Sequence, residues 1–184
     1  LRHADRRVER VVVEAMLTHE TSFFRDKHPF KSLKSRALPE LLKARAGTRT
    51  LNLWSAACSS GQEAYSLAML LLDAFPEVAD WTMKVFATDL SSAVLERASA
   101  GRFSQLEVAR GLPAGYKERF FKRAGVEYDV VPELRRMVHF EQGNLKGAWP
   151  QLPPMDVIFI RNVMIYFDRK TKEQILRKAH RALS

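Results

Sequence analysis

An α/β domain, with a parallel sheet wound by helices on both faces, is predicted by three observations. A strand, a turn of small residues and an apolar-faced helix follow one another in Leu51 to Leu72, LNLWSAACSSGQEAYSLAMLLL. A second strand pattern, Trp81 to Thr88, ends on the acidic Asp89. A third run, Met155 to Ile160, is almost continuously apolar and ends at Arg161-Asn162, as expected of a central parallel strand covered on both sides. Helical patterns separate these strands, which is the alternation that produces doubly wound sheets.

The chain opens with a predicted helix over 5–17, where Val8, Val12, Ala15 and Met16 form one apolar side. Thr21 or Ser22 is expected to cap a short helix that buries Phe23 and Phe24. A further helix over 30–45 is interrupted, because Pro39 fits only a first turn, and Gly47 stops it. Residues 1–46 are thus a helical, basic portion and linker. In residues 1–50, 12 Lys/Arg face 6 Asp/Glu, so a surplus of 6 out of the net +9 sits in the first quarter. A charge surplus of this kind steers a protein toward an acidic partner.

From 47 onward the chain is expected to form one domain. Leu51 and Leu53 begin the first strand; Ala64, Leu67, Ala68 and Leu71 mark the apolar face of the helix after the turn, which ends at Phe75-Pro76. Ser91 or Ser92 caps the helix SAVLERASA, closed by Gly101. Gly111, Pro113 and Gly115 precede an aromatic helix with Tyr116, Phe120 and Phe121. VEYDVV and MVHFEQ suggest two short strands around Pro132, and a small β-subdomain is expected over 124–141. Pro150, Pro153 and Pro154 mark a surface loop, and a last helix spans Lys170 to Ala182.

Several chemistries are excluded by what the chain lacks. A single Cys58 forms no internal disulfide and no zinc-ligand spacing is present. No apolar run approaches a membrane span, and no secretory signal pattern is seen, so a cytoplasmic setting is expected. There is no G-x-G-x-x-G, no G-x-S-x-G elbow and no Walker lysine. What remains are polar residues at strand ends: Ser59 to Glu63, Asp89, Asn144 and Arg161-Asn162. In an α/β sheet these ends share one rim and line one crevice. A small-residue turn lets a ligand approach the backbone, and an acidic residue at the tip of the second strand is suited to ribose hydroxyls. A nucleoside-bearing cofactor without a bound pyrophosphate fits, with S-adenosylmethionine the leading candidate.

The segments LTHETSFFRD, LNLWSAACSSGQEAYSLAM, VFATDLSSAVLERASAGRF, HFEQGNL and IRNVMIYFD make the chain resemble the CheR family of chemotaxis receptor methyltransferases. They stand in family order from Leu17 to Asp168. The resemblance implies a Rossmann-like class I S-adenosylmethionine-dependent methyltransferase fold over 47–184. It also implies methyl transfer to glutamate side chains on the cytoplasmic helices of chemoreceptors. By similarity, Thr21, Arg25, Glu63, Asp89, Asn144, Leu145, Arg161 and Asn162 meet the cofactor: Asp89 at the ribose, Asn144-Leu145 at the adenine, Glu63 at the amino-acid end. Arg25 and Tyr166 are expected nearest the transferring methyl.

Three residues depart from the family pattern: His19 stands where Asn is usual, Gln62 where Glu is frequent, and Ile160 where Cys is common. The change at Gln62 is expected to remove a negative charge near the cofactor. The resemblance further implies that the chain carries only the last part of an N-terminal helical domain and stops before the closing strands of the sheet. The short excursion 124–131, with one glycine, leads to an expectation of weak or no docking of a receptor C-terminal peptide. Arg2, Arg6, Arg7 and Arg10 are expected to face an acidic receptor surface, and no nucleic acid is expected as a partner. A non-catalytic S-adenosylmethionine sensor or scaffold on the same fold is the alternative.

Overall fold

The computed structural model describes residues 20–75 and 80–184. The helix expected over 5–17, His19, Pro76 and the arginines Arg2, Arg6, Arg7 and Arg10 lie outside the described residues. The architecture is a parallel sheet with helices on both faces, as the alternation of patterns predicts. Its elements are α1 (His28–Ser32), a π-helical segment (Leu33–Ala37), α2 (Leu38–Ala44), β1 (Thr50–Ala56), α3 (Gln62–Ala74), β2 (Thr82–Asp89) and α4 (Ser92–Ala100). Then come β3 (Arg102–Ser104), α5 (Gln105–Ala109), α6 (Tyr116–Phe120), β4 (Phe121–Ala124), β5 (Glu127–Val130) and α7 (Pro132–Met137). The chain closes with β6 (Val138–Gln142), β7 (Val157–Ile160), a 3-10 turn (Met164–Tyr166) and α8 (Arg169–Ala182).

The main sheet has the order β6-β2-β1-β7, with all pairs parallel. Strand β1 sits inside it, and its period of two sorts side chains between two cores. Leu51 and Leu53 pack under α3 with Met83, Val85 and Ala87 of β2. Trp54 and Ala56 point to the other face, where Met155, Leu145 and Ile175 of α8 meet them. The Trp54 indole N–H donates to the Thr88 hydroxyl at 3.0 Å, so the one polar atom of that buried ring is satisfied. Helix α3 is apolar almost all round, with buried residues from Gln62 to Leu71, because sheet, α7 and the N-terminal helices enclose it.

Four sequence expectations are corrected. The residues after Thr21 form a turn rather than a capped helix: Phe24, Asp26 and Lys27 all have positive φ, which breaks helical geometry. Phe23 and Phe24 are nonetheless buried, as expected. Pro39 does sit in a first turn, that of α2, and the preceding π-helical segment absorbs the break. The small β-unit is a three-stranded antiparallel sheet, β3-β5-β4, that starts at Arg102 and ends at Val130; Val138–Gln142 belongs to the main sheet instead. Between them, Pro132 opens α7 rather than a loop. Finally, β7 pairs only with β1 among the described residues, so it is an edge, and three of its four residues are half-buried.

Phe23 ties the small sheet to the rest. Its ring meets Phe103 of β3 at 5.0 Å and Phe121 of β4 at 5.5 Å, both edge to face. No helix among the described residues is long and apolar enough to cross a membrane.

Candidate active site

In a parallel sheet the carboxyl ends of all strands lie on one rim, and there a cavity of about 320 Å³ opens. That is the lower end of the roughly 300–1,000 Å³ typical of small-molecule sites. The bend that leads from β1 into α3 forms its floor. Ala57 and Ser59 adopt left-handed φ of 62° and 51°, and Gly61 reaches 93°. At Gly61 a Cβ would stand 3.0 Å from the Ala98 Cβ and 3.2 Å from the Phe140 ring, so glycine is required both by conformation and by space.

Asp89 holds this bend. Its Oδ2 accepts from the Ser59 backbone N–H at 2.8 Å and its Oδ1 from the Ser91 N–H at 3.1 Å. Each carboxylate oxygen has two lone pairs, so acceptor capacity remains for hydroxyls brought into the cavity. The backbone carbonyl of Asp89 takes the Gly143 N–H at 2.9 Å, which draws the β6 exit loop over the site. That loop supplies Asn144 and the buried Leu145; the Asn144 side chain caps its own turn by accepting from the Lys146 N–H at 2.9 Å.

Glu63, in the first turn of α3, is largely buried, and burial pushes its carboxyl up. The Ser55 hydroxyl at 2.8 Å and the Arg161 guanidinium at 2.8 Å oppose that shift. Arg161 leaves the end of β7, stacks near Phe30 and Phe159, and spends its other nitrogen on the Arg25 carbonyl at 2.8 Å and Asp26 at 2.7 Å. One guanidinium therefore joins α3, the end of β7 and the turn before α1. That turn contains three left-handed non-glycine residues, each costing on the order of 1 kcal/mol or more. Arg161, the burial of Phe23 and Phe24, and a Phe24 N–H to Ser66 hydroxyl bond at 3.0 Å hold it in place.

The turn carries Thr21 and Arg25 to the cavity, and Arg25 bonds the Glu20 carbonyl. Asn162, with φ of 57°, follows Arg161, and Tyr166 on the 3-10 turn stands at the mouth with 59% of its surface exposed. All nine residues singled out in the sequence therefore line the same cavity. Gln62 does not: it is buried against Ser60 and Glu107, so the charge expected to be lost near the cofactor is lost elsewhere. Residues that sequence reasoning missed include Leu90, Gly143 and Lys146, which line the cavity, and Asp26, which grips Arg161. Leu90 and Gly143 each adjoin a residue that had been singled out, and that adjacency was the available signal.

Cys58 lies on the floor, but burial and the carboxylates of Asp89 and Glu63 raise its thiol well above the usual range. It is a poor nucleophile in that state. Among the described residues no cluster of metal-binding side chains is found. The donor set is one of carboxylates facing a largely apolar space, with guanidinium groups at one end. This suits a nucleoside with free hydroxyls and a zwitterionic, positively charged tail. It does not suit a phosphate chain, because the Ser59 N–H that a phosphate would use already serves Asp89.

The model of a family described as CheR methyltransferase, SAM binding domain, matches residues 19–184. Chemotaxis protein methyltransferase 1 of Pseudomonas aeruginosa is 44% identical over 178 residues, covering 94% of this chain and 64% of its own length. Chemotaxis protein methyltransferase Cher2 of Pseudomonas putida is 40% identical, with coverage of 94% and 64%. This chain thus spans a little under two-thirds of those curated relatives. A solved glycopeptide N-methyltransferase, MtfA complexed with sinefungin, is 15% identical with a TM-score of 0.45, covering 95% of this chain and 55% of its own.

Proposed function

Since this chain belongs to the CheR methyltransferase family and carries its S-adenosylmethionine-binding domain, we propose that it forms methyl esters on glutamate side chains of chemoreceptor cytoplasmic helices. The observation that supports this reading is the convergence of Thr21, Arg25, Glu63, Asp89, Asn144, Leu145, Arg161, Asn162 and Tyr166 on one cavity from separate parts of the chain. When bound, S-adenosylmethionine supplies an electrophilic methyl group on a sulfonium.

In this proposal the chain's residues bind, orient and exclude water. Asp89 accepts the ribose hydroxyls with the lone pairs that Ser59 and Ser91 leave free. Leu145 and Leu90 give the base an apolar wall, with Asn144 at its edge. Glu63 and Arg161 offer opposite charges to the ammonium and carboxylate of the amino-acid tail, and Thr21 and Asn162 complete that end. A glutamate carboxylate is already ionised near neutral pH, so no general base is needed. Arg25 holds it by paired hydrogen bonds and Tyr166 orients the attacking oxygen. Closing the mouth then strips water from the nucleophile, and alignment supplies most of the rate.

The test is to incubate the full chain with methyl-labelled cofactor and cytoplasmic fragments of bacterial chemoreceptors. Base-labile label in the receptor glutamates is the expected result. Tight binding of S-adenosylhomocysteine with no labelled ester under any condition would overturn methyl transfer and leave the sensor or scaffold reading.

A further inference from the structure

Among the described residues, four of the exposed large apolar side chains line the cavity, line a groove that shares Thr21 with it, or adjoin a residue that lines it: Leu90, Leu106, Ile165 and Tyr166. Leu90 and Tyr166 line the cavity itself. Ile165, 74% exposed, is the neighbour of Tyr166 on the 3-10 turn. Leu106, 82% exposed, borders a shallower groove of about 130 Å³ that shares Thr21 with the cavity and also includes Arg110. Single exposed apolar residues are ordinary, but a group of them at the mouth of one site marks a contact surface.

Cations stand beside this apolar rim. Lys146 lines the cavity and lies close enough to Asp168 to influence its ionisation. Lys170 follows on the exposed start of α8, and Arg110 pairs with the exposed Glu20 at 3.2 Å. Neither Ile165 nor Leu106 lines the cofactor cavity or belongs to the buried core, so neither the binding of a cofactor nor the packing of the fold accounts for them.

We propose that this rim is the docking surface for the helix that carries the target glutamate, an inference that rests on the function proposed above. A glutamate presented from a helix brings the side chains three and four positions away onto the same face. A surface that admits the glutamate therefore meets those neighbours at the rim. Ile165 and Leu106 are the anchors for apolar neighbours; Lys170 and Arg110 face acidic ones. The occupant is an amphipathic, acidic helix, and the rim rather than the cofactor cavity selects it.

The experiment measures KM and kcat for a chemoreceptor cytoplasmic fragment with the full chain and its variants Ile165→Ser, Leu106→Ser and Lys170→Glu. Calorimetry with S-adenosylhomocysteine and thermal melting accompany it. The apolar variants are expected to raise KM about tenfold, with cofactor affinity and melting unchanged. Lys170→Glu is expected to raise KM at low salt and converge with the parent at high salt. Unchanged KM in both apolar variants, with the parent active, overturns the docking surface alone. If instead Ile165→Ser breaks a dimer seen by sedimentation while KM stays constant, the rim belongs to a second copy and the proposal falls. If the parent forms no ester on any fragment, the proposed function falls and this inference with it.

Discussion

Asp89 serves the protein twice, once as the fastener of the β1–α3 bend and once as the acceptor proposed for the ribose. Replacing it by Ala removes two hydrogen bonds to a charged acceptor, about 1.5 kcal/mol each, so S-adenosylhomocysteine is expected to bind roughly 100-fold more weakly by calorimetry. The same change leaves the N–H groups of Ser59 and Ser91 without their acceptor, and a lower melting temperature should accompany it. Glu63 behaves differently, because burial raises its pKa in the native state. The native protein then binds a proton more readily than the unfolded chain between the ordinary carboxylate value and the raised one. Stability linked to Glu63 is therefore greatest at acid pH and declines as pH rises through that window. Urea unfolding between about pH 4 and 7 should show that decline in the parent and not in Glu63→Gln. An equal slope in both proteins would count against the assignment.

Among elements, α8 shows how a short signal decides a boundary. Asp168 accepts from the Thr171 N–H at 2.8 Å, and this bond holds its carboxyl below the usual range. The stability it contributes is present at neutral pH and is lost as pH falls through the depressed native value. The melting difference between the parent and Asp168→Ala should thus be clear at pH 7 and vanish toward pH 2. The helix start near Lys170, the cap at Ser91 or Ser92 and the Gly101 stop were legible because the capping chemistry is local, while Asp168 itself was not read as a cap. The small sheet was legible only in part: VEYDVV marked β5, but three residues of β3 pair with it across more than twenty intervening positions, and strands that short carry no period. Its neighbour α5 did leave a trace, the Ser104-to-Glu107 capping box, which was overlooked. The apolar pattern of β7 did not by itself disclose its edge position, since such a run looks the same at the middle of a sheet and at its margin; an unpaired edge was expected only from the family resemblance.

For the whole molecule, the pin between the N-terminal helices and the sheet is Asp156. Its side chain is 3% exposed and takes the Arg45 guanidinium at 2.6 Å and the Asn52 N–H at 2.7 Å. Asp156→Ala removes two hydrogen bonds to a charged acceptor, leaving Arg45 its bond to the Ser184 hydroxyl, and is expected to cost about 3 kcal/mol in equilibrium unfolding. The site shows the same dependence on distance. Strand-end logic alone reaches Glu63, Asp89, Asn144, Arg161 and Asn162, because a parallel sheet must bring those ends together. Thr21, Arg25 and Tyr166 came only from the family resemblance. The bond that seats the Arg25 backbone joins residues 136 positions apart, and no local pattern encodes such a meeting.

The turn before α1 has one more consequence. The stretch that brings Thr21 and Arg25 to the mouth also sends Phe23 into the aromatic cluster beneath the small sheet and Phe24 against Phe30 and Tyr116. The cavity wall and interior cohesion are thus anchored in neighbouring side chains. Trimming the polypeptide back to the first strand would spare every sheet residue, yet it would uncover a greasy hollow and strip one wall from the rim cavity in a single cut.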